Sequence, residues 1–249
     1  MKITFLGSSH GIPSAERFCT CMMIEVNEKL YFIDAGAPVA DLVLRYGKHP
    51  NDIKAVFCTH HHGDHTDGLL NLTDLCGWAF RETSFDIFVT KAEQAEVLKA
   101  CVAIASRPVD TDRLRYHTAS EGTVFEDENV KITYFRTRHC EPFPSYAILV
   151  EAEGKKALFS GDLSNMLDKN DFPVYPMENE TDLVVCEMAH FGREQIEPYM
   201  AQLKTGKMLF NHVNYWKDVD KFADIKDMDA SGKYAFRISA AEDGEIIEL

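Results

Sequence analysis

Short apolar runs of four to eight residues recur along the chain, separated by Gly, Pro, Asn and Asp, and several lead into segments with apolar positions at helical spacing. The runs read as strands and the spaced segments as helices. Residues 2–6 predict a first strand, which ends in a loop of mostly small residues at 7–14. Residues 21–26 and 30–33 predict a hairpin across Asn27-Glu28-Lys29. Asp34-Ala35-Gly36 closes it, and Pro38 opens a helix to about Tyr46, proline being suited to a first helical turn. Residues 54–57 predict a short buried strand. From Thr66 to about Ala79, Leu69, Leu70, Leu72, Leu75 and Trp78 fall at helical spacing. A strand at 85–89 and a helix over 91–105 follow.

A second series repeats the style. Residues 123–125 and 130–136 predict strands around an acidic turn at 126–129, and 146–151 with 156–160 predict a hairpin across Glu153-Gly154. A strand at 183–186, a helix at 194–203, a strand at 207–211 and a helix at 218–225 come next. Strands near 234–238 and 245–248 end the chain. No low-complexity tract or flexible linker interrupts the pattern. The expectation is a single domain over residues 1–249 made of two β/α halves, about 1–117 and 118–249. Layering alone gives an α/β protein with two sheets.

Composition narrows this picture. With 249 residues and a formal charge of −14, the chain can bury a large core but is poorly suited to broad contact with a nucleic-acid backbone. Its seven cysteines are scattered and mostly lie inside apolar runs, as reduced core thiols of a cytoplasmic protein do. Cys19-x-Cys21 has no second pair nearby and reads as structural. Met1 leads directly into a strand, so no signal peptide is expected, and the apolar runs are too short for a membrane span.

The chemistry concentrates in Cys58-Thr59-His60-His61-His62-Gly63-Asp64-His65-Thr66-Asp67-Gly68, between a predicted strand and a predicted helix. Residues two apart near a strand project to one side, so His60 and His62 can reach one ion. Gly63 relieves the backbone, which lets Asp64 and His65 turn toward a second. Imidazole with carboxylate suits Zn²⁺ first, with Mn²⁺ or Fe as alternatives. His61, between two ligands, is expected to point away.

The motif His-x-His-x-Asp-His resembles that of the metallo-β-lactamase superfamily. The resemblance implies a four-layer αββα sandwich and three further ligands at strand ends: a His, a bridging Asp and a last His. His139, Asp162 (in Ser160-Gly161-Asp162) and His212 stand at those places in order. By resemblance, His60, His62 and His139 hold one ion, Asp64, His65 and His212 the other, and Asp162 bridges them. The opening 6–14 and the segment Asp182–Phe191 are similar to the ribonuclease Z and small-phosphodiesterase branch, with Cys186 where that branch usually has His. A His of this region helps protonate the leaving oxygen there; His190 is the nearest counterpart, and a packed His is the alternative. His10 could line the mouth, Cys140 could touch the pocket, and His49 and His117 have no partner in the pattern.

The resemblance implies metal-assisted hydrolysis, in which a hydroxide shared by the ions attacks the ester and Asp64 also accepts its proton. Members that process tRNA carry a basic arm between the third His and the bridging Asp. Here only 22 residues separate His139 from Asp162, and a hairpin fills nearly all of them. A small phosphodiester, such as a cyclic nucleotide, is therefore expected over large RNA. A lactone or thioester, attacked by the same hydroxide, is the second reading. A non-catalytic metal protein is the third, weakened because structural zinc sites are closed by four protein ligands. A homodimer is compatible with all three.

Overall fold

In a computed structural model of the protein, residues 1–12, 14–105, 112–214 and 220–249 are described. In chain order they form β1 (Lys2–Gly7), β2 (Cys21–Val26), β3 (Lys29–Ile33), α1 (Val39–Arg45), β4 (Ile53–Phe57), α2 (Gly63–Thr66), α3 (Gly68–Trp78), β5 (Phe85–Val89), α4 (Ala92–Ala105) and β6 (Leu114–Thr118). There follow β7 (Gly122–Glu126), β8 (Lys131–Thr137), β9 (Ser145–Ala152), β10 (Lys155–Phe159), α5 (Tyr175–Glu178), β11 (Thr181–Met188), α6 (Arg193–Met200), β12 (Thr205–Val213), α7 (Lys221–Ala230), β13 (Arg237–Ala240) and β14 (Ile246–Glu248).

The strands make two seven-stranded sheets, ordered β14-β1-β2-β3-β4-β5-β6 and β13-β12-β11-β10-β9-β8-β7. Alternation along each strand explains the layers. Tyr31 and Ile33 of β3 enter the core between the sheets, while Leu30 and Phe32 enter a second core under the first helices. In β11, Leu183 and Val185 face the inter-sheet core, and Val184, Cys186 and Met188 face a third core shared with Ile196 and Met200 of α6. Strands buried on both faces read as unbroken apolar runs, which is why the sequence shows runs more than alternation. The layers are helix, sheet, sheet, helix: the αββα sandwich.

Strands β3 to β6 run parallel, as do β10 to β13. Their carboxyl ends lead into the loops that carry the site, the usual place for ligands in open α/β sheets.

Three sequence expectations shift. The strand expected near 234–238 lies at Arg237–Ala240, where the parallel ladder to β12 pairs Lys207 with Arg237. The helix expected at 218–225 starts at Lys221, with the Ala223 amide capped by the Asp220 carboxylate, while 218 and 219 lie outside the described residues. Strand β6 was not foreseen: only Leu114 of its five residues is buried, so this sheet edge carries almost no apolar signal. The last strand, β14, pairs with β1 and so returns the end of the chain to the first sheet.

Candidate metal centre

The strand-to-helix loop after β4 places its side chains on opposite sides. His60 is fully buried behind β4, and His62 caps α2 in an extended conformation (φ −70°, ψ 152°). Asp64 and His65 lie in the single turn of α2. The chain can pass here because Gly36 has no side chain: a Cβ on it would lie 1.7 Å from the Asp64 carbonyl oxygen.

Each of the first imidazoles is held from behind. Asp34, just past β3 and in the left-handed region (φ 59°), accepts from the Thr59 amide at 2.7 Å and from His65 Nδ1 at 2.7 Å. The Thr59 hydroxyl donates to Asp34 and lies 3.1 Å from His60 Nδ1. His139, on the loop after β8, donates from Nδ1 to the Leu163 carbonyl at 3.0 Å. His62 Nε2 lies 3.9 Å from Cys140 Sγ. With one ring nitrogen so engaged, the other faces the cleft, as in metal sites whose ligands are oriented by outer partners.

The inward atoms converge. His60 Nε2 is 2.9 Å from His62 Nδ1, which is 3.4 Å from His139 Nε2. His65 Nε2 is 3.3 Å from His212 Nε2, and Asp64 Oδ2 lies 3.4 Å from the first and 3.1 Å from the second. His212 ends β12 with φ 51°, a strained backbone for a non-glycine residue. Asp162, buried behind Gly161 (φ 57°), splits its carboxylate between the two groups. Its Oδ2 is 3.8 Å from His60 Nε2 and 3.7 Å from His139 Nε2, while Oδ1 is 3.4 Å from His65 Nε2 and 3.6 Å from His212 Nε2.

Lone pairs crowded this closely need a shared proton or a shared cation. Asp162 Oδ1 is buried without a hydrogen-bond partner, and a buried acceptor left so is costly. The imidazole and carboxylate donors therefore fit divalent metal ions. The seven residues singled out as ligands in the sequence (His60, His62, Asp64, His65, His139, Asp162 and His212) are all brought to this one cleft.

The other histidines divide. His61 turns out of the cluster, half-buried, with its ring edge-on to Phe143. Burial, and then the nearby Lys91 ammonium, lower its pKa to about 4. His10 is buried, its ring 6.3 Å from that of His212, so it borders the site. His190 donates from Nδ1 to Glu187 Oε1 at 2.9 Å and lies 3.9 Å from Asp162 Oδ2. Burial would depress the His190 pKa, but the Glu187 carboxylate outweighs this and raises it to about 9. His49 accepts from the Asn51 amide, and His117 pairs with Asp86 at 2.7 Å, so both have partners that the pattern did not reveal.

Two supports went unread in the sequence. In the sequence Asp34 marks only the close of a hairpin, because its partners His65 and Thr59 lie 31 and 25 residues away. In the sequence Glu187 is one residue of a motif, and nothing there marks it as the acceptor of four bonds from Leu163 N, Ala189 N, His190 N and His190 Nδ1. A lone carboxylate at a strand end is the signal both share.

Among proteins of known name, the chain is 27% identical over 177 residues, 70% of its length, to a ribonuclease Z of Microcystis aeruginosa, covering 54% of that protein. It thus spans about half the length of the curated relatives it matches. Its fold superposes on the metallo-β-lactamase fold protein YhfI from Bacillus subtilis with a TM-score of 0.78 and 17% identity, over 100% of this chain and 98% of that one. Human tRNase Z, short form, gives a TM-score of 0.75 and 18% identity over 100% and 99%. The fold is that of the metallo-β-lactamases. The family model described as Anti-Pycsar protein Apyc1 matches residues 1–221, a span that holds every convergent donor above, and the chain belongs to that family.

Proposed function

We propose that this protein is a dinuclear metal-dependent hydrolase of small phosphodiesters. The observation that carries the proposal is the split carboxylate of Asp162, whose two oxygens face two separate groups of imidazoles. One group is His60, His62 and His139, and the other is Asp64, His65 and His212. Bound there, divalent ions would supply an activated water and neutralise charge building on the phosphoryl oxygens. Zn²⁺ is the favoured ion, with Mn²⁺ or Fe as alternatives.

The chain's own residues supply the rest. Asp64, partly exposed at the cleft floor, is placed to accept the proton of the attacking water. His190 is oriented by Glu187 through Nδ1, which leaves Nε2 to donate to the leaving oxygen. The ribonuclease Z relatives bear a nuclease name, but between His139 and Asp162 this chain has only a short loop and the β9–β10 hairpin. The charge of −14 also disfavours a long polyanion. A cyclic nucleotide or similar small diester fits both facts. The second reading, a lactone or thioester hydrolase, uses the same groups on a carbonyl.

Turnover of bis-p-nitrophenyl phosphate, a lactone and a thioester by the metal-loaded protein separates these readings. Diester hydrolysis at least tenfold above the other two supports the proposal. Preference for either carbonyl substrate refutes it.

A further inference from the structure

Four of the five histidines in the donor set have a protein group at their second ring nitrogen: Thr59 for His60, Cys140 for His62, Asp34 for His65 and the Leu163 carbonyl for His139. The fifth differs. His212 turns Nε2 toward His65 and Asp64, and its Nδ1 is buried with no hydrogen-bond partner among the described residues. The neighbouring Asn211 is 3% exposed, and its Oδ1 is likewise buried without a partner. Asn211 Nδ2 donates weakly to Met22 Sδ at 3.7 Å, so the oxygen is the end still in need of a donor. A buried donor and a buried acceptor are both costly to leave so.

Adjacent residues of a regular strand face opposite sides and share no space. Here a bulge brings them together. In the ladder between β11 and β12, Glu187 pairs with Asn211 but Met188 pairs with Val213, so His212 is the extra residue, and its φ of 51° re-aims it. Asn211 keeps the inter-sheet side that Leu209 takes two residues earlier, where the row is otherwise apolar. Both residues line a cavity of about 20 Å³, counted as room for a water's centre, with Met22, Ile33, Phe159 and Val185 among its apolar walls. A buried water needs about 10–15 Å³ of such room and two to four polar partners, so the cavity suits a single molecule.

We propose that this cavity is a site for one structural water, which accepts from His212 Nδ1–H and donates to Asn211 Oδ1, and that Asn211 is thereby a positioning residue for His212. The bridge holds the imidazole proton on Nδ1 and keeps the Nε2 lone pair turned to the centre, as Asp34 does for His65 without a water between. The inference rests on the metal reading of the cleft and adds how its last imidazole is oriented.

The first test needs no variant. A crystal structure of the Zn²⁺-loaded chain, at a resolution that shows ordered water, should place one water within about 3.2 Å of both atoms. A dry cavity, or a water that touches only one of the two, overturns the proposal. Asn211→Leu keeps the branched shape of the side chain and removes its acceptor. Competition titration of Zn²⁺ should then show the phase that includes His212 weakened about tenfold or more, with the phase of His60, His62 and His139 within about threefold of the parent. Asn211→Asp, which retains an acceptor oxygen, should restore the weakened phase. A residue that serves packing alone would shift both phases or neither, and either result overturns the role of Asn211. A parent protein that holds the water yet binds no Zn²⁺ would sustain the water site and overturn the metal reading.

Discussion

Replacing Asp34 with Asn keeps the shape of the support behind His65 and reverses one hydrogen bond. Asn tolerates the left-handed backbone at this position (φ 59°), so the change is confined to the side-chain atoms. In the native arrangement the Asp34 carboxylate accepts from both the buried Thr59 amide and His65 Nδ1. An amide cannot do both. If its oxygen stays with Thr59, its NH₂ faces His65 Nδ1, which must become an acceptor. The imidazole proton then moves to Nε2, the nitrogen turned toward Asp64, Asp162 and His212. If the amide flips, its NH₂ opposes the buried Thr59 N–H instead. In the first case the nitrogen that faces the metal carries a proton, and in the second a buried N–H loses its acceptor, each at a cost of about 1–3 kcal/mol. That corresponds to roughly a 10- to 100-fold loss, the range seen when a group orienting a metal ligand is removed. Competition titration of Zn²⁺ against a chromogenic chelator reads it directly. One binding phase should weaken by that factor, and the other, served by His60, His62 and His139, should stay within about threefold. If both phases match the parent protein, Asp34 does not set the donor nitrogen of His65 and the reasoning fails.

Other consequences can be checked together. Purified without chelator, the chain should hold close to two transition-metal ions, since the donors face two centres through Asp162; elemental analysis giving no more than one after Zn²⁺ or Mn²⁺ loading speaks against the bridge. Asp162→Ala should abolish hydrolysis and lower occupancy at both centres, whereas His61→Ala, outside the convergent groups, should leave metal content unchanged; a loss in His61→Ala as severe as in His62→Ala would invert the loop. Stripping the ions should lower the melting temperature, because ions held at a thousand times their Kd contribute about 4 kcal/mol; an unchanged melting curve would show that no tight site exists. His190→Ala should slow alkoxide-leaving diesters far more than nitrophenyl esters, which need no proton donor, and an equal loss on both removes His190 from that role.

How much of this was legible in the sequence depends on how far apart the interacting residues lie. His60, His62, Asp64 and His65 announce themselves because one strand-to-helix loop carries all four. Gly161-Asp162 is visible as a turn after an apolar run, and its left-handed glycine (φ 57°) accounts for the pair. His139 and His212 have no local signature and were placed only by the order of motifs that a resemblance supplied. The cores were readable as runs, since Val184 and Val185 face opposite layers yet are equally apolar. What failed to show was edge and contact. Strand β6 is polar because one of its sides has no neighbour in the sheet, and β14 finds β1 across the whole chain. Asp34 and Glu187 act on residues that only folding brings near.

The acidic balance of the chain and an anionic substrate are compatible once charge is counted locally. Asp64 and Asp162 are the acidic members of the donor set, and the remaining five ligands are imidazoles. Asp34 and Glu187 lie behind the centre, each spent on a histidine nitrogen and on backbone amides. Two divalent ions bound as proposed, with a protonated His190, would bring five positive charges against these four carboxylates, so the cleft floor would be slightly positive although the chain carries −14. Salt screens charges more than about 10 Å away, so a small diester seated on the floor feels the ions more than the outer surface. A long polyanion would feel both. The same count therefore favours a compact phosphodiester over RNA, and it does so through residues whose positions the fold fixes: two carboxylates facing inward, and two more turned to hold the histidines around them.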